Sequence, residues 1–131
     1  MHAKGMFDVK VTPVASDGKS DSPITRMSIE KQFHGDLEGS SKGEMLSAGS
    51  PVKGSAGYVA MEQVSGTIHG HTGTFILQHN AVMDRGKPSL SIAVVPDSAT
   101  DGLAGLKGTM NIIINEGKHS YDFEYSLPEN H

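Results

Sequence analysis

The feature that most constrains this chain is a repeated alternation of apolar and polar side chains along short segments. Near the end of the sequence, Tyr121, Phe123 and Tyr125 alternate with Asp122 and Glu124. A period of two places successive side chains on opposite faces of a β-strand. The period of 3.6 that marks an amphipathic helix is almost absent from the sequence. The alternation therefore predicts an all-β fold.

About eight short strands are predicted from this alternation and from the glycines and prolines between them. In chain order they are Phe7 to Val11, Met27 to Phe33, a third strand ending near Met45, two strands within 57–80, Ser89 to Val95, Met110 to Ile114, and Tyr121 to Tyr125. Pro88 and Pro96 are predicted to bracket the sixth strand. One short helical turn is expected after it, capped by Asp97 or Ser98.

Eight short antiparallel strands without a covering helix have two common arrangements, a closed barrel and a two-sheet sandwich. Consecutive hairpin-like links favour an up-and-down barrel, which also removes exposed strand edges. The sixteen glycines suit the tight turns, bends and bulges of a closed sheet. We therefore predict one domain over residues 1–131, an eight-stranded antiparallel closed barrel that is lipocalin-like in strand number. The β-sandwich is the alternative.

Charge and composition exclude several classes of partner. The net charge is −4 and no segment clusters Lys and Arg, so no nucleic-acid-binding surface is predicted. No apolar run approaches the roughly 20 residues of a transmembrane helix, and the N-terminal segment lacks the continuous apolar stretch of a secretory signal. Cys is absent, which fits a reducing compartment. We expect a cytoplasmic protein without nucleic-acid or membrane partners.

Two ionisable residues stand where the alternation otherwise places apolar side chains. In GYVAMEQVSGTIHGHTGTFILQHN, residues 57–80, Glu62 and His79 fall on the apolar faces of two consecutive strands. If these strands form a hairpin with its turn near Gly70, Glu62 lies opposite residue 77 or 79 and within reach of His79. Inside a barrel the pair must be hydrogen-bonded or change protonation state, because an unpaired buried charge is very costly.

Three interpretations of this pair remain open at this point. A catalytic or ligand-binding pair would use Glu62 as general base or hydrogen-bond acceptor and His79 as proton shuttle, with Tyr58 on the same face orienting a ligand. A structural pair would fix the register of the strands. The third interpretation inverts the faces of both strands. It would place inside the barrel the polar residues Gln63, Gln78 and Asn80.

Aromatic and aliphatic residues on the inward faces either pack the core or line a ligand cavity. The ligand-binding candidates are Tyr58, Phe75, Leu77, Tyr121, Phe123 and Tyr125. Lys31 interrupts the apolar face of the second strand. We expect it near a rim or pointing outward, because a lysine stem can lie on apolar surface while its charge reaches water.

No metal, cofactor or covalent nucleophile is predicted. His69 and His71 flank Gly70 in the expected turn, where exposure to solvent is the simpler expectation, and no third ligand is assured. His34 and His119 would contribute only if the fold brought them near. The sequence contains no Cys, no nucleophile elbow between a strand and a helix, and no phosphate-binding glycine loop.

Several segments together resemble one family of bacterial proteins. They are FHGDLEGSSKGEML, GSAGYVAMEQVSG, GTFILQHNAVM, SLSIAVVPDSATDGLAGLKGTM and GKHSYDFEYSL, and the similarity runs from about Phe7 to Leu127. The family is domain-of-unknown-function family 3224 (DUF3224), which is similar to the allene oxide cyclase barrel. The resemblance implies an eight-stranded antiparallel barrel, in agreement with the strand count. It also implies a homo-oligomer, because barrel relatives often self-associate. It implies no activity, since none is established for the family.

The leading functional hypothesis is binding of a small, mainly apolar molecule in the barrel interior, whose width in eight-stranded barrels suits one small ligand. The alternative is an isomerase or cyclase in which Glu62 and His79 transfer a proton. A third hypothesis is a structural or oligomerising protein with a filled core. A cavity inside the barrel favours binding, whereas a solid interior favours the structural role.

Overall fold

Eight antiparallel strands close on themselves, so that each strand pairs with the next and the last pairs with the first. The structure, a computed structural model, describes residues 1–14 and 23–128. The strands are β1 His2–Pro13, β2 Ile24–Gly35, β3 Leu37–Gly49, β4 Ala56–Ile68, β5 His71–Asp84, β6 Lys87–Val94, β7 Lys107–Asn115 and β8 Lys118–Ser126. The predicted closed barrel is confirmed, and the sandwich alternative is wrong.

The connections between strands define two ends of the barrel. One end, which we call the filled end, carries the turns around 35–36 and 69–70 and the connection 95–106. The opposite end, which we call the accessible end, carries the connections 50–55, 85–86 and 116–117. The space enclosed by the strands between these ends is the lumen. The predicted tight hairpin at Glu116 and Gly117 therefore lies at the accessible end.

Large apolar side chains fill the lumen toward the filled end. Phe75 and Phe123 stack there, with 5.8 Å between their ring centroids, and both are fully buried. The connection between β6 and β7 covers this end, because its Leu103 and Leu106 are buried in the same apolar cluster. Burial of apolar surface is the main stabilising contribution to a fold of this kind, so this half of the barrel is the core.

A short helical turn lies in the β6–β7 connection, but later than the sequence predicts. It spans Asp101–Leu103 and follows Thr100, instead of being capped by Asp97 or Ser98. The hydroxyl of Ser98 instead accepts a hydrogen bond from the backbone N–H of Ile76 at 3.0 Å. This contact to β5 uses the side chain that would have capped the earlier turn. Within the described residues, no helix has the length and apolar character needed to cross a membrane.

The seam between β6 and β7 is the most weakly paired part of the described barrel. These two strands share one registered pair, Ala93 with Thr109. β6 begins at Lys87, and Pro88 lies inside it opposite Met83 on β5, not before the strand as predicted. A proline is tolerated there because β6 has no registered β7 partner at that position and behaves as an edge strand.

The register of β2 turns Lys31 into the lumen, so the prediction that it lies near a rim or points outward is wrong. Lys31 lies opposite Val9 on β1 and Ser41 on β3, and it is 9% exposed. Two aromatic rings and a carboxylate surround its ammonium group. These groups replace the water that a lysine on an outer wall would have.

Candidate functional site

A buried ionic cluster lies in the lumen where the core ends. Glu62 on β4 is 1% exposed, and its carboxylate accepts hydrogen bonds from three side chains. Oε1 is 2.9 Å from Nζ of Lys31 and 2.5 Å from Nε2 of His79. Oε2 accepts a hydrogen bond from Oγ of Ser41 at 2.6 Å. Four consecutive strands, β2 to β5, each contribute one residue, so the cluster ties half of the barrel wall together.

Strand register explains why these side chains meet. Glu62 lies opposite Leu77, and His79 is its diagonal neighbour, opposite Ala60. The predicted proximity of Glu62 and His79 is therefore observed, in the diagonal arrangement. On the other side of β4, Glu62 faces Gly43 of β3. A Cβ atom at Gly43 would lie 2.6 Å from Cα of Glu62, so a residue without a side chain is required opposite the carboxylate.

The outward faces of β4 and β5 carry the polar residues that an inverted register would bury. Gln63, Gln78 and Asn80 are all exposed. Their neighbours Glu62 and His79 point into the lumen on the same strands. The interpretation with inverted faces is therefore wrong, and the pair faces inward.

Lys31 and Ser41 are the members of the cluster that the sequence interpretation missed. Nζ of Lys31 lies 5.1 Å from the ring centroid of Phe7 and 5.9 Å from that of Phe33. These cation–π contacts and the ion pair with Glu62 compensate for the lost hydration of the ammonium group. The signal for Lys31 was its place on an apolar face. Ser41 lies in a polar, glycine-rich segment and gave no such signal.

The cluster keeps Glu62 ionised. Burial alone raises the pKa of its carboxyl group. The hydrogen bond from His79, the charge of Lys31, the hydrogen bond from Ser41 and the charge of His79 when it is protonated together outweigh burial and lower the pKa to about 2. An ionised carboxylate can only accept hydrogen bonds. The proton in the contact with His79 therefore resides on Nε2 of the imidazole, and in the neutral ring Nδ1 carries a lone pair.

Nδ1 of His79 is the ring nitrogen that the ionic cluster leaves without a partner. It has no hydrogen-bond partner among the described residues, because the protein contact of the ring is made by Nε2. Among residues 1–14 and 23–128, no fully buried side-chain nitrogen or oxygen lacks a hydrogen-bond partner. An unpartnered Nδ1 must therefore have accessible surface, even though the His79 side chain as a whole is buried.

Tyr58 borders the same space as His79. The centroids of the two rings are 6.5 Å apart, and the Tyr58 hydroxyl has no partner among the residues that the structure describes. Burial raises the pKa of Tyr58, and the negative charge of Glu62 raises it further, so the phenol keeps its proton at neutral pH. A molecule in the lumen could therefore form hydrogen bonds with an acceptor on His79 and with the hydroxyl of Tyr58.

Beyond the cluster, toward the accessible end, several inward-facing apolar side chains remain exposed to solvent. Three apolar residues that point inward there are 45% exposed at Val11, 42% at Leu90 and 66% at Ile114. Their register with inward-facing partners on neighbouring strands sets this direction. Solvent therefore reaches apolar wall inside the barrel, and the ionic cluster forms the floor of this accessible half of the lumen.

The other ligand-binding candidates lie in the core, below this floor. Phe75, Leu77 and Phe123 are fully buried in the apolar cluster. The hydroxyl of Tyr121 accepts a hydrogen bond from the backbone N–H of Leu37 at 2.9 Å, which ties β8 to the start of β3. Of the candidate residues, the fold brings together Glu62, His79 and Tyr58.

The remaining histidines singled out from the sequence do not converge. His69 lies at the filled end, where its Nδ1 contacts the hydroxyl of Tyr125, a further ligand-binding candidate. His34 lies 3.4 Å from a carboxylate oxygen of Asp8, and His119 packs against the ring of Phe7. Within residues 1–14 and 23–128, no three His, Cys, Asp or Glu side chains are placed to hold a metal ion.

Glu62 is expected to make folding stability depend on pH below 4.5. Its pKa falls from 4.5 to about 2 in the folded protein. The ionised form therefore stabilises the folded state above pH 4.5, and this contribution is lost as the pH falls toward 2. It amounts to roughly 3 kcal/mol. Urea unfolding of wild type and Glu62→Gln, followed by circular dichroism over this pH range, measures it.

The free energies of unfolding of wild type and Glu62→Gln should converge as the pH is lowered through this range. Glu44→Gln is a matched control, because Glu44 pairs with Arg26 on the outer wall and more than half of its side chain is exposed. This control should keep the wild-type pH dependence. A constant difference between wild type and Glu62→Gln would contradict an ionised, buried Glu62.

Comparisons with known proteins agree with the barrel and its sequence segments. A family model described as "Protein of unknown function (DUF3224)" matches residues 3–125. The chain is similar to the crystal structure of a protein with unknown function from the DUF3224 family of Shewanella oneidensis MR-1, with 45% sequence identity and a TM-score of 0.90 over 98% of this chain and 97% of that chain. No curated protein matches the chain. The predicted resemblance is confirmed, and the chain belongs to the DUF3224 family.

Proposed function

We propose that the barrel binds a small, mainly apolar molecule in the accessible half of its lumen. One observation carries this proposal: apolar side chains that point inward are exposed to solvent above a floor that is buried and polar. Ligand sites in proteins combine apolar walls with a few placed polar groups in this way. An eight-stranded barrel is wide enough for one small ligand. Because the other half is core, the ligand is short.

A lumen-filling substitution tests this binding. N-phenyl-1-naphthylamine, an uncharged dye that fluoresces in apolar surroundings, is expected to bind wild type. Ala81 points inward between Tyr58 and Leu90, so Ala81→Phe places a ring in the accessible half and should weaken dye binding at least about tenfold. Fluorescence titration measures both affinities.

The control for this experiment is Ser91→Phe, which adds the same ring on the exposed outer face of β6. It should leave the affinity unchanged. Equal dye binding by wild type and Ala81→Phe, with both proteins folded by circular dichroism, would contradict binding in the lumen. So would the absence of dye binding to wild type.

A second candidate function is proton transfer, as an isomerase or cyclase requires. The observation that favours it is the arrangement of His79, whose Nε2 is held by an ionised carboxylate while Nδ1 borders the lumen. A carboxylate that fixes the tautomer and orientation of an imidazole also stabilises the imidazolium formed when the free nitrogen takes a proton. In this candidate His79 is the base, and Glu62 positions it.

A model substrate with an acidic C–H bond tests this base. In 5-nitrobenzisoxazole, removal of the ring C–H proton breaks the N–O bond and releases a coloured cyanophenolate. Wild type is expected to accelerate this reaction at least about tenfold over His79→Gln, measured by absorbance at neutral pH. His2→Gln is the control, since His2 is an exposed histidine paired with Asp122 on the outer wall. Equal rates for wild type and both variants would contradict a base at His79.

We further propose that the protein self-associates through the outer wall of its barrel. Large apolar side chains that point outward lie side by side on β2 to β5, and each is about half exposed. This outer apolar patch consists of Ile24, Leu46, Val59, Met61 and Val82. Two grooves of about 540 and 380 Å³ run across it. Contiguous apolar patches on monomers are usually small, and larger ones mark interaction sites.

The charges beside this patch favour a second copy of the chain as its partner. Arg26 and Glu44 form an ion pair at the border of the patch. A two-fold axis that passes beside this ion pair would bring Arg26 of one copy near Glu44 of the other, so that the two surfaces would be complementary in charge as well as apolar.

A cytoplasmic location, predicted from the absence of Cys, is compatible with both proposed functions, ligand binding and proton transfer.

A charge in the centre of the patch should separate the copies. Leu46→Glu is expected to convert a wild-type dimer to monomer, because the new carboxylate would be buried unpaired at the interface. Ile113→Glu is the control, since Ile113 is equally exposed but lies on β7, away from the patch. Size-exclusion chromatography with light scattering gives the masses. A wild-type monomer, or a dimer that survives in Leu46→Glu, would contradict this interface.

A further inference from the structure

When the His79 ring is neutral, the floor of the accessible half carries no net charge. The ammonium group of Lys31 and the carboxylate of Glu62 are 2.9 Å apart, so their charges cancel locally. Ser41 is neutral, and the hydrogen bond that His79 donates to Glu62 is satisfied by a neutral ring with its proton on Nε2. A charged ligand would therefore meet no opposite charge in the cluster that is free to pair with it.

Two polar atoms beside the ionic cluster have opposite hydrogen-bonding roles. Nδ1 of the neutral His79 ring is an acceptor, and it has no partner in the described part of the chain. The Tyr58 phenol keeps its proton and can donate it. The two rings lie 6.5 Å apart between centroids and face the same space. One group that both donates and accepts a hydrogen bond would satisfy both atoms.

We propose that the ligand of this site is an uncharged alcohol or phenol whose hydroxyl reaches the floor while its apolar body lies against the exposed inner wall. Its O–H donates to Nδ1 of His79, and its oxygen accepts from the Tyr58 hydroxyl. This assignment rests on the proposed binding in the lumen and names the chemical class of the ligand. A carboxylate of the same shape is rejected, because it cannot donate to Nδ1 and would lie across one imidazole ring from Glu62.

Three naphthalenes of nearly equal size test this class. 2-Naphthol donates and accepts a hydrogen bond, 2-methoxynaphthalene only accepts, and 2-naphthoate is charged. Binding to wild type is measured by displacement of N-phenyl-1-naphthylamine at about pH 8, where an imidazole is ordinarily neutral. 2-Naphthol is expected to bind at least about tenfold tighter than either of the other two.

Variants assign the preference to the two polar atoms. Tyr58→Phe keeps the ring and should reduce the preference for 2-naphthol over 2-methoxynaphthalene about threefold or more, since a lost hydrogen bond has an effect of this order. His79→Gln should reduce it further. Circular dichroism and thermal unfolding establish that each variant is folded. If His79→Gln does not fold, the assignment of the 2-naphthol preference to these polar atoms is tested by Tyr58→Phe alone.

The outcomes separate this inference from the function on which it rests. Dye binding that 2-naphthol and 2-methoxynaphthalene displace equally well overturns the ligand class while leaving binding in the lumen intact. Tighter binding of 2-naphthoate also overturns it, because the floor would then present a free positive charge. Failure of wild type to bind the dye or any naphthalene overturns the proposed function, and the ligand class with it.

Discussion

A carboxylate that is sealed from bulk water has to find all of its hydrogen bonds inside the protein, and this requirement organises the barrel around Glu62. The three donors come from β2, β3 and β5, so the charge is stable only when four strands hold their native register. A slip of one residue in any of these strands would turn its donor to the outer wall. The cluster therefore specifies the register of these strands as well as the local charge. A structural role for Glu62 and His79 is thus compatible with a ligand site above them.

The position of this cluster divides the lumen into two halves with different physical character. Below it, aromatic and aliphatic side chains pack as a core that Leu103 and Leu106 cover. Above it, inward-facing side chains remain in contact with solvent. A polar floor beneath an apolar wall is an arrangement that favours binding over a purely structural role. Stability comes from the packed half, so the accessible half is free to expose apolar surface.

Alternation in the sequence placed Glu62 and His79 on one shared face and close together, and the hairpin-like links favoured the barrel, because these follow from strand period and hairpin pairing. The inward direction of that face and the choice between barrel and sandwich needed the structure. Lys31 could not be placed in the same way. A lysine on an apolar face is compatible with a rim or with a buried ion pair, and the choice depends on Glu62, which belongs to a strand two positions away in the barrel. Ser41 and Gly43 needed the register between β3 and β4. The short helical turn was placed too early because the Ser98 hydroxyl is used by β5.

The weak seam has a mechanical consequence for the lumen. Backbone hydrogen bonds fix the spacing of paired strands at about 4.8 Å, and they do so along seven of the eight contacts around this barrel. Between β6 and β7 one registered pair remains in the described chain, and no registered pair joins these two strands toward the accessible end. The circumference of the lumen is therefore held least firmly at the β6–β7 seam, so backbone pairing limits the width of a ligand less there than between β1 and β6.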